Sequence, residues 1–309
     1  MSEQKSISAK NLNLFFLLPA ILSVLAIISI ALWGLKPGID LSGGALLQVT
    51  YSDARPTVEQ IQSAVAPLNL GEVRAQPTGT NGYVLRERTL TNDQHAALLS
   101  ALSTLSKTGT VHEDQYTSVG PVIGAELLQK GWVALGLVTL CIILFIAFAF
   151  RHVSKPVASW KYGVVVIITL IHDILVPTGV FAFLGHINGA EVDSLFIVGL
   201  LTILGISIND TIVVFDRVRE NLAINEAHRK KVPYSEVVGS SIVQTIARSN
   251  NTSLTVVIML VALFLVGPTS TKDFALTLII GMIAGTYSSI FLASPLLVAW
   301  DKFTHRGSK

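Results

Sequence analysis

Residues Ser194 to Asn221, SLFIVGLLTILGISINDTIVVFDRVREN, constrain this chain more than any other stretch. From Leu195 to Phe215 the run is apolar, and at about 1.5 Å per residue it is long enough to cross a bilayer. Asp210 lies inside it, behind Asn209 and ahead of four apolar residues. A carboxylate near the middle of a spanning helix costs about 2.5–3.5 kcal/mol to insert, so a retained one is a functional candidate. On a helix Asp210 shares a face with Ser207, Thr202 and Gly199, a small and polar stripe that suits a bundle interior rather than lipid. The stretch ends on Asp216, Arg217, Arg219 and Glu220, a charged exit that belongs in water.

Composition places this stretch in a polytopic membrane protein. Of 309 residues, 51% are hydrophobic and 14% charged, and the mean hydropathy is +0.61. The net charge of +2 gives no footing for nucleic acid. The lone cysteine, Cys141, lies in an apolar run, so neither a disulfide framework nor a paired-cysteine metal site is expected. No phosphate-binding loop, no H-E-x-x-H and no G-x-S-x-G occurs. Work done by this chain is therefore not expected to draw on its own nucleotide hydrolysis, and no cofactor is implied.

Six spans are expected. The first, Leu12 to Trp33, follows Lys5 and Lys10 in residues 1–11 and is too long for a signal-peptide core. The others are Gly131 to Phe150, Tyr162 to Leu184, Leu195 to Phe215, Ile246 to Val266 and Phe274 to Ala299, so residues 131–299 hold spans two to six. The sixth carries Thr277, Gly281, Gly285, Ser289 and Ala293 at steps of four, a ladder that lets another helix approach closely. With the amino terminus inside, the short segments hold fourteen Lys and Arg within and only Lys272 outside. That bias predicts both termini, including residues 300–309, in the cytoplasm.

Residues 34–130 are the one long polar section and read as a folded outer domain, with seven basic against nine acidic residues. Ile39 to Tyr51 is strand-like, with a bulge or tight turn at Asp40 to Gly44. Thr57-Val58-Glu59-Gln60 and Thr91-Asn92-Asp93-Gln94 fit capping boxes that open two helices. Glu72 to Gln76, Gly82 to Leu90 and Gly109 to Val119 complete a β-α-β-β-α-β order, that of an α+β ferredoxin-like unit. Gly120 to Gln129 reads as a connector helix.

Three further ionisable residues lie in or beside the spans. His172 and Asp173 fall at the centre of the third, about 100° apart on a helix, so they cannot both face one partner. A structural contact between helices and a proton relay are both open to them. Arg248 sits at the inner end of the fifth span, where it could simply reach the interface. Asp210 lies about 7 Å inward of its own span's midpoint, a depth that brings it towards Arg248 if the two helices are neighbours.

Several motifs carry a resemblance. Gly38 to Gly44, Val119 to Leu127, the His172-Asp173 pair, Ser207 to Asn221 and Gln244 to Ser253 together resemble SecF, the smaller membrane subunit of the SecD–SecF accessory complex of bacterial protein export. The likeness covers nearly the whole chain, although Leu41-Ser42 stands where the first motif usually has Phe-Thr. It implies a half-transporter of the RND superfamily, in the bacterial inner membrane, pairing six spans with six from SecD. It also implies use of the proton motive force to draw preproteins out of the SecYEG channel. Asp210 and Arg248 match the family's proton-pathway residues; His172 and Asp173 match its motif without an assigned role. Three other readings fit parts of the pattern: an RND-type half-exporter of small apolar molecules or lipids, a non-transporting scaffold, and an intramembrane aspartyl hydrolase using Asp173 and Asp210. The last lacks the usual Gly-x-Gly-Asp context.

Overall fold

The computed structural model describes residues 15–107, 110–149 and 159–306. Residues 12–14 of the expected first span, Phe150 of the second, and Lys5, Lys10, Arg151, Lys155 and Lys309 lie outside the described residues. In chain order the elements are α1 (Leu17–Trp33), the single turn α2 (Ile39–Ser42), β1 (Gly44–Tyr51), α3 (Val58–Val65), β2 (Arg74–Thr78), β3 (Gly82–Glu87), α4 (Asn92–Ser103) and β4 (Val111–Val119). They continue with α5 (Pro121–Ala149), α6 (Ser159–Ile187), α7 (Ser194–Ala227), α8 (Tyr234–Val266), α9 (Thr269–Ser288), a π-helical turn (Ser289–Ala293) and α10 (Ser294–Arg306).

Among the described residues, five helical stretches are long and apolar enough to cross a membrane: Pro121–Ala149, Trp160–Ile187, Ser194–Ala227, Tyr234–Val266 and Ser270–Phe303. Leu17–Trp33 is a sixth, shorter apolar helix. The chain is thus mostly helical, with one small antiparallel sheet. It divides into two compact units, one of Met1–Lys36, Val133–Glu191 and Leu195–Lys309, the other of Pro37–Trp132 with Val192–Ser194.

In the second unit four antiparallel strands lie in the order β2-β3-β1-β4. Ala45, Leu47, Val49 and Tyr51 alternate into the core, because successive strand side chains point to opposite faces. Tyr83 and Leu85 on β3 join them, and Ile61, Val65, Leu98 and Leu102 cover them from α3 and α4. Both expected capping boxes form: Thr57 and Gln60, and Thr91 and Gln94, exchange side-chain and backbone hydrogen bonds reciprocally. Each satisfies amide donors that a helix start leaves unpaired.

Three local expectations change. Ile39–Ser42 is a helical turn, not the start of a strand, and its buried Leu41 anchors it. The chain then passes through Gly43 and Gly44 at φ 77° and 138°, which a side chain would strain. Any Cβ at Gly43 would also meet Pro121 at 2.5 Å, so the glycine permits the first turn of α5 to sit against this segment. The connector and the second span are one unbroken helix, Pro121–Ala149, with proline at the first helical position, where its missing N–H costs nothing. The second strand is shifted to Arg74–Thr78, and the third stops at Glu87.

Glu87 follows Leu85 on the inward face of β3, so strand alternation alone delivers its carboxylate to the core. It is buried, and neither carboxylate oxygen has a hydrogen-bond partner. Desolvation raises its pKa from 4.5 to about 7. Since the folded value lies above the unfolded one, the protonated form stabilises the fold. That contribution is fully present below about pH 4.5, declines as pH rises and is lost above about 7, a difference on the order of 3 kcal/mol. Amides of β1 and β3 are therefore expected to exchange hydrogen more slowly at pH 5 than at pH 8, after correction for intrinsic rates. Glu87→Gln should abolish that difference.

Candidate functional site

The site is built where α6, α7, α8 and α9 meet, and a seam of small residues permits the approach. Thr277, Gly281, Gly285 and Ser289 recur every four residues, and so do Gly199, Ile203, Ser207 and Thr211 on α7. The two rows match in order. A Cβ on Gly199 would meet Thr277 at 3.1 Å, one on Gly281 would overlap Ile203, and one on Gly285 would lie 2.9 Å from Ser207 Cβ. Further on, the hydroxyls of Thr211 and Ser289 are 3.0 Å apart. Rows spaced by four residues on both helices are the interdigitating kind. Because both rows ascend together, α7 and α9 run parallel.

The same reasoning orients the other helices of this unit. Ser23 meets His172, Ser29 Oγ donates to Gly179 O, and Trp33 stacks on His186, so α1 and α6 run parallel. Phe181 packs on Phe196 while Asp173 pairs with Ser207, which makes α6 and α7 antiparallel. Asn221 bonds to Ser241 as Asp210 does to Ser253, so α7 and α8 are antiparallel as well.

Four hydrogen-bonded groups fill the space between these helices. Asp210, 6% exposed, accepts from Ser249 Oγ at 3.4 Å and from Ser253 Oγ at 3.3 Å. Both are long, so the carboxylate is loosely held. Thr286 Oγ1 on α9 donates in turn to Ser253 Oγ at 2.7 Å. Asp173 is fully buried: its Oδ2 accepts from Ser207 and, at 3.0 Å, from Ser288, while Oδ1 has no partner. His172 Nδ1 lies 2.7 Å from Ser23 Oγ, and its Nε2 2.5 Å from Tyr287 Oη. His172 and Asp173 do face different partners, as their angular separation requires.

Arg248 stands apart. It is exposed, and among the described residues no ion pair joins it to Asp210. Proximity to Asp210 belongs instead to Ser249 and Ser253, one and five positions along. Adjacent helical residues point about 100° apart, so the face that presents these serines turns the guanidinium away. The helices are neighbours at the expected depth; the residue filling the place is different. Ser253, Thr286 and Tyr287 also line an open, mainly apolar groove between α8 and α9, beside Leu254, Val257 and Ile283. Asp210 itself lines a cleft too tight for a water molecule, together with Ser207, Gly281, Gly285 and Thr286.

The hydroxyls are what residue-by-residue reading misses. Ser207 appears in the sequence as part of the Asp210 stripe, yet its Oγ donates to Asp173. Ser288 and Tyr287 carry no motif. The recoverable signal is a spacing of four, since Ser249 and Ser253 must share one face.

The chain that builds this site matches known proteins in sequence and in fold. The sequence profile of the protein export membrane protein SecD/SecF, C-terminal region, fits residues 100–303. The protein translocase subunit SecF of Thermobaculum terrenum is 41% identical over 300 residues, covering 93% of this chain and 91% of that one. Its counterpart from Anaerolinea thermophila is 36% identical, covering 93% and 92%. This chain belongs to the SecD/SecF family. Among solved structures, SecDF from Thermus thermophilus, a translocon-associated membrane protein, superposes with a TM-score of 0.81 at 29% identity over 98% of this chain. SecDF in a super-membrane-facing form gives 0.69 at 28% identity over 100% of it. The chain spans 40% of the length of each of those SecDF chains. As a member of the family, it is a protein-export membrane protein.

The seam gives a direct test. Gly281→Leu would drive a side chain into Ile203, separating α7 from α9 at the turn that sets Ser207 beside Asp173. Overpacking of this kind costs about 1–3 kcal/mol. Thermal unfolding in detergent is expected at a lower temperature than for the native chain, whereas Gly205→Leu, at a position with no neighbour within 4 Å, leaves it unchanged.

Proposed function

We propose that this chain is the SecF-type subunit of the Sec export machinery, which with SecD uses the proton motive force to promote late-stage translocation of preproteins through SecYEG. In this reading it is a transport subunit and not an enzyme, it binds no cofactor, and its partners are SecD, SecYEG, the emerging preprotein and protons. Residues 12–33 form the first span, of which Leu17–Trp33 is the described helix, and residues 131–299 hold the other five. Both termini are cytoplasmic, and residues 34–130 form an extracytoplasmic ferredoxin-like domain. The helix directions support six spans: α1 and α6 are parallel, as first and third spans must be, and so are α7 and α9, the fourth and sixth. The strand order β2-β3-β1-β4 supports the domain assignment.

The observation that carries the proposal is the loosely held carboxylate of Asp210. A proton crossing the membrane potential is worth about 2.3 kcal/mol per 100 mV. To convert that into motion, the protonated and ionised forms of one acid must favour different helix arrangements. Protonated, Asp210 is adequately served by two serines. Ionised, it calls for a cation, and turning α8 by about 100° exchanges Ser249 for Arg248 at the same place. Arg248 thus biases the equilibrium from a position outside the pair. Such a turn breaks the Ser253–Thr286 bond and so frees α9 from α8 at that level.

In proteoliposomes holding the assembled complex under an imposed proton gradient, Asp210→Asn is expected to reduce export to the level seen without a gradient. Assembly with the partner subunit should be unchanged. Arg248→Met should lower gradient-driven export as well. Unimpaired export in Asp210→Asn would refute the proton role and leave a scaffold; proton-coupled flux of a lipid or small apolar solute in place of export would favour the half-exporter.

A further inference from the structure

Asp173 differs from Asp210 in every respect that decides what a buried acid can do. It is fully enclosed, with one oxygen holding two hydroxyl donors and the other holding none. An ionised carboxylate in such a place would forgo water for two neutral donors, and its desolvation costs several kcal/mol. A neutral acid removes most of that cost. The two hydroxyls reach it from different helices, Ser207 from α7 and Ser288 from α9.

Ser207 is the link between the two acids. It lies one turn before Asp210 on α7, its hydroxyl bonds to Asp173, and it lines the tight cleft that Asp210 also lines. Across that cleft stand Gly281 and Gly285, where α9 comes so near α7 that side chains are excluded. A small separation of the two helices there would admit one water between Ser207 and Asp210.

We infer that Asp173 is a second proton-holding acid, filled and emptied through the Ser207 hydroxyl by way of Asp210. This deepens the proton-driven reading above and rests on it. The step balances. With the cleft open, the Ser207 hydroxyl turns from Asp173 to the admitted water; protonated Asp173 then gives its proton to Ser207 Oγ as Ser207 passes its own to that water, and the water passes one to ionised Asp210. Asp173 ends as a carboxylate, Asp210 as an acid, and serine and water are unchanged. With the cleft closed the two acids are disconnected, so the approach of α7 to α9 gates the transfer. Ser207 is a relay and Ser288 a positioning residue.

The other titratable groups near the pair are few. On α6 His172 points away, to Ser23 and Tyr287. On α9 Tyr287 takes that histidine, while Lys272 and Asp273 lie at the far end of the helix. On α7 no charged residue other than Asp210 precedes Asp216, and α8 offers Asp210 only hydroxyls, Arg248 being exposed.

Infrared difference spectroscopy of the complete reconstituted complex, on imposing a proton gradient, tests this by the carbonyl stretch of protonated carboxyls. Two such bands are expected to respond, one absent in Asp210→Asn and the other in Asp173→Asn. Ser207→Ala should keep the first and slow the second by about a hundredfold, the scale of a lost proton-transfer group. A purely structural Ser207 would leave that rate unchanged, and this outcome overturns the inference. A single responding band, lost in Asp210→Asn and indifferent to Asp173→Asn, overturns it while sparing the reading of Asp210. Absence of any responding band refutes both. If a variant fails to assemble, the native complex with isotopically labelled aspartate still decides, because one responding aspartate and two give different spectra.

Discussion

A carboxylate at lipid depth has no water to fall back on, and the bundle is arranged around that fact. Asp173 and Asp210 are the acids buried inside the helical unit, and each takes its hydrogen bonds from serines on other helices. Among the described residues no lysine or arginine pairs with them. Neutral donors hold a protonated acid well and an ionised one poorly, so the environment is biased without being committed. A buried ion pair would have fixed the charge state and required several kcal/mol to break. Hydroxyls leave it open to change.

Serines can serve in this way only because the helices come close. The matched rows on α7 and α9 bring backbones within reach through glycine, and a hydroxyl a single bond from Cβ then spans the remaining gap. Longer polar side chains would reach across wider separations but with more rotamers to freeze. The π-helical turn Ser289–Ala293 begins where Ser288 and Ser289 point to Asp173 and Thr211. Its wider winding shifts the register of everything after it, so α10 need not continue the phase of the seam. Packing, hydrogen bonding and the two acids are thus one arrangement and not three.

Much of this was legible from residue order. Hydropathy gives the long helices, and a step of four gives the Thr277-to-Ser289 seam. Two capping boxes mark helix starts that the structure places at Val58 and Asn92. What could not be read is partner choice. Asp210 and Arg248 lie at matching depths, and charge makes them the obvious pair, yet a rotation of one residue on α8 gives the place to Ser249. Depth follows from counting residues, whereas azimuth depends on how each helix rolls against its neighbours, which no single helix encodes. Glu87 is a similar case. Strand alternation put it inward, but a carboxylate is ordinarily grounds for ending the core before it, and only the pairing with β1 at Ala45 shows that it does not end there.

In the relay inferred above, the two acids divide a task that a single site would perform less well. Asp210 has a route outward through Ser253 and Thr286 to the groove between α8 and α9, so it can exchange with its surroundings. Asp173 has no such route, being enclosed by α6, α7 and α9. A group open to one side and a group open to neither, joined through a cleft that one helix movement opens, keep a proton from crossing unless the movement occurs. A lone acid exposed alternately to both sides would leak whenever the helices fluctuated midway. In that relay, separation by a serine and a closed gap ties proton passage to the same displacement of α7 against α9 that the glycine seam makes inexpensive.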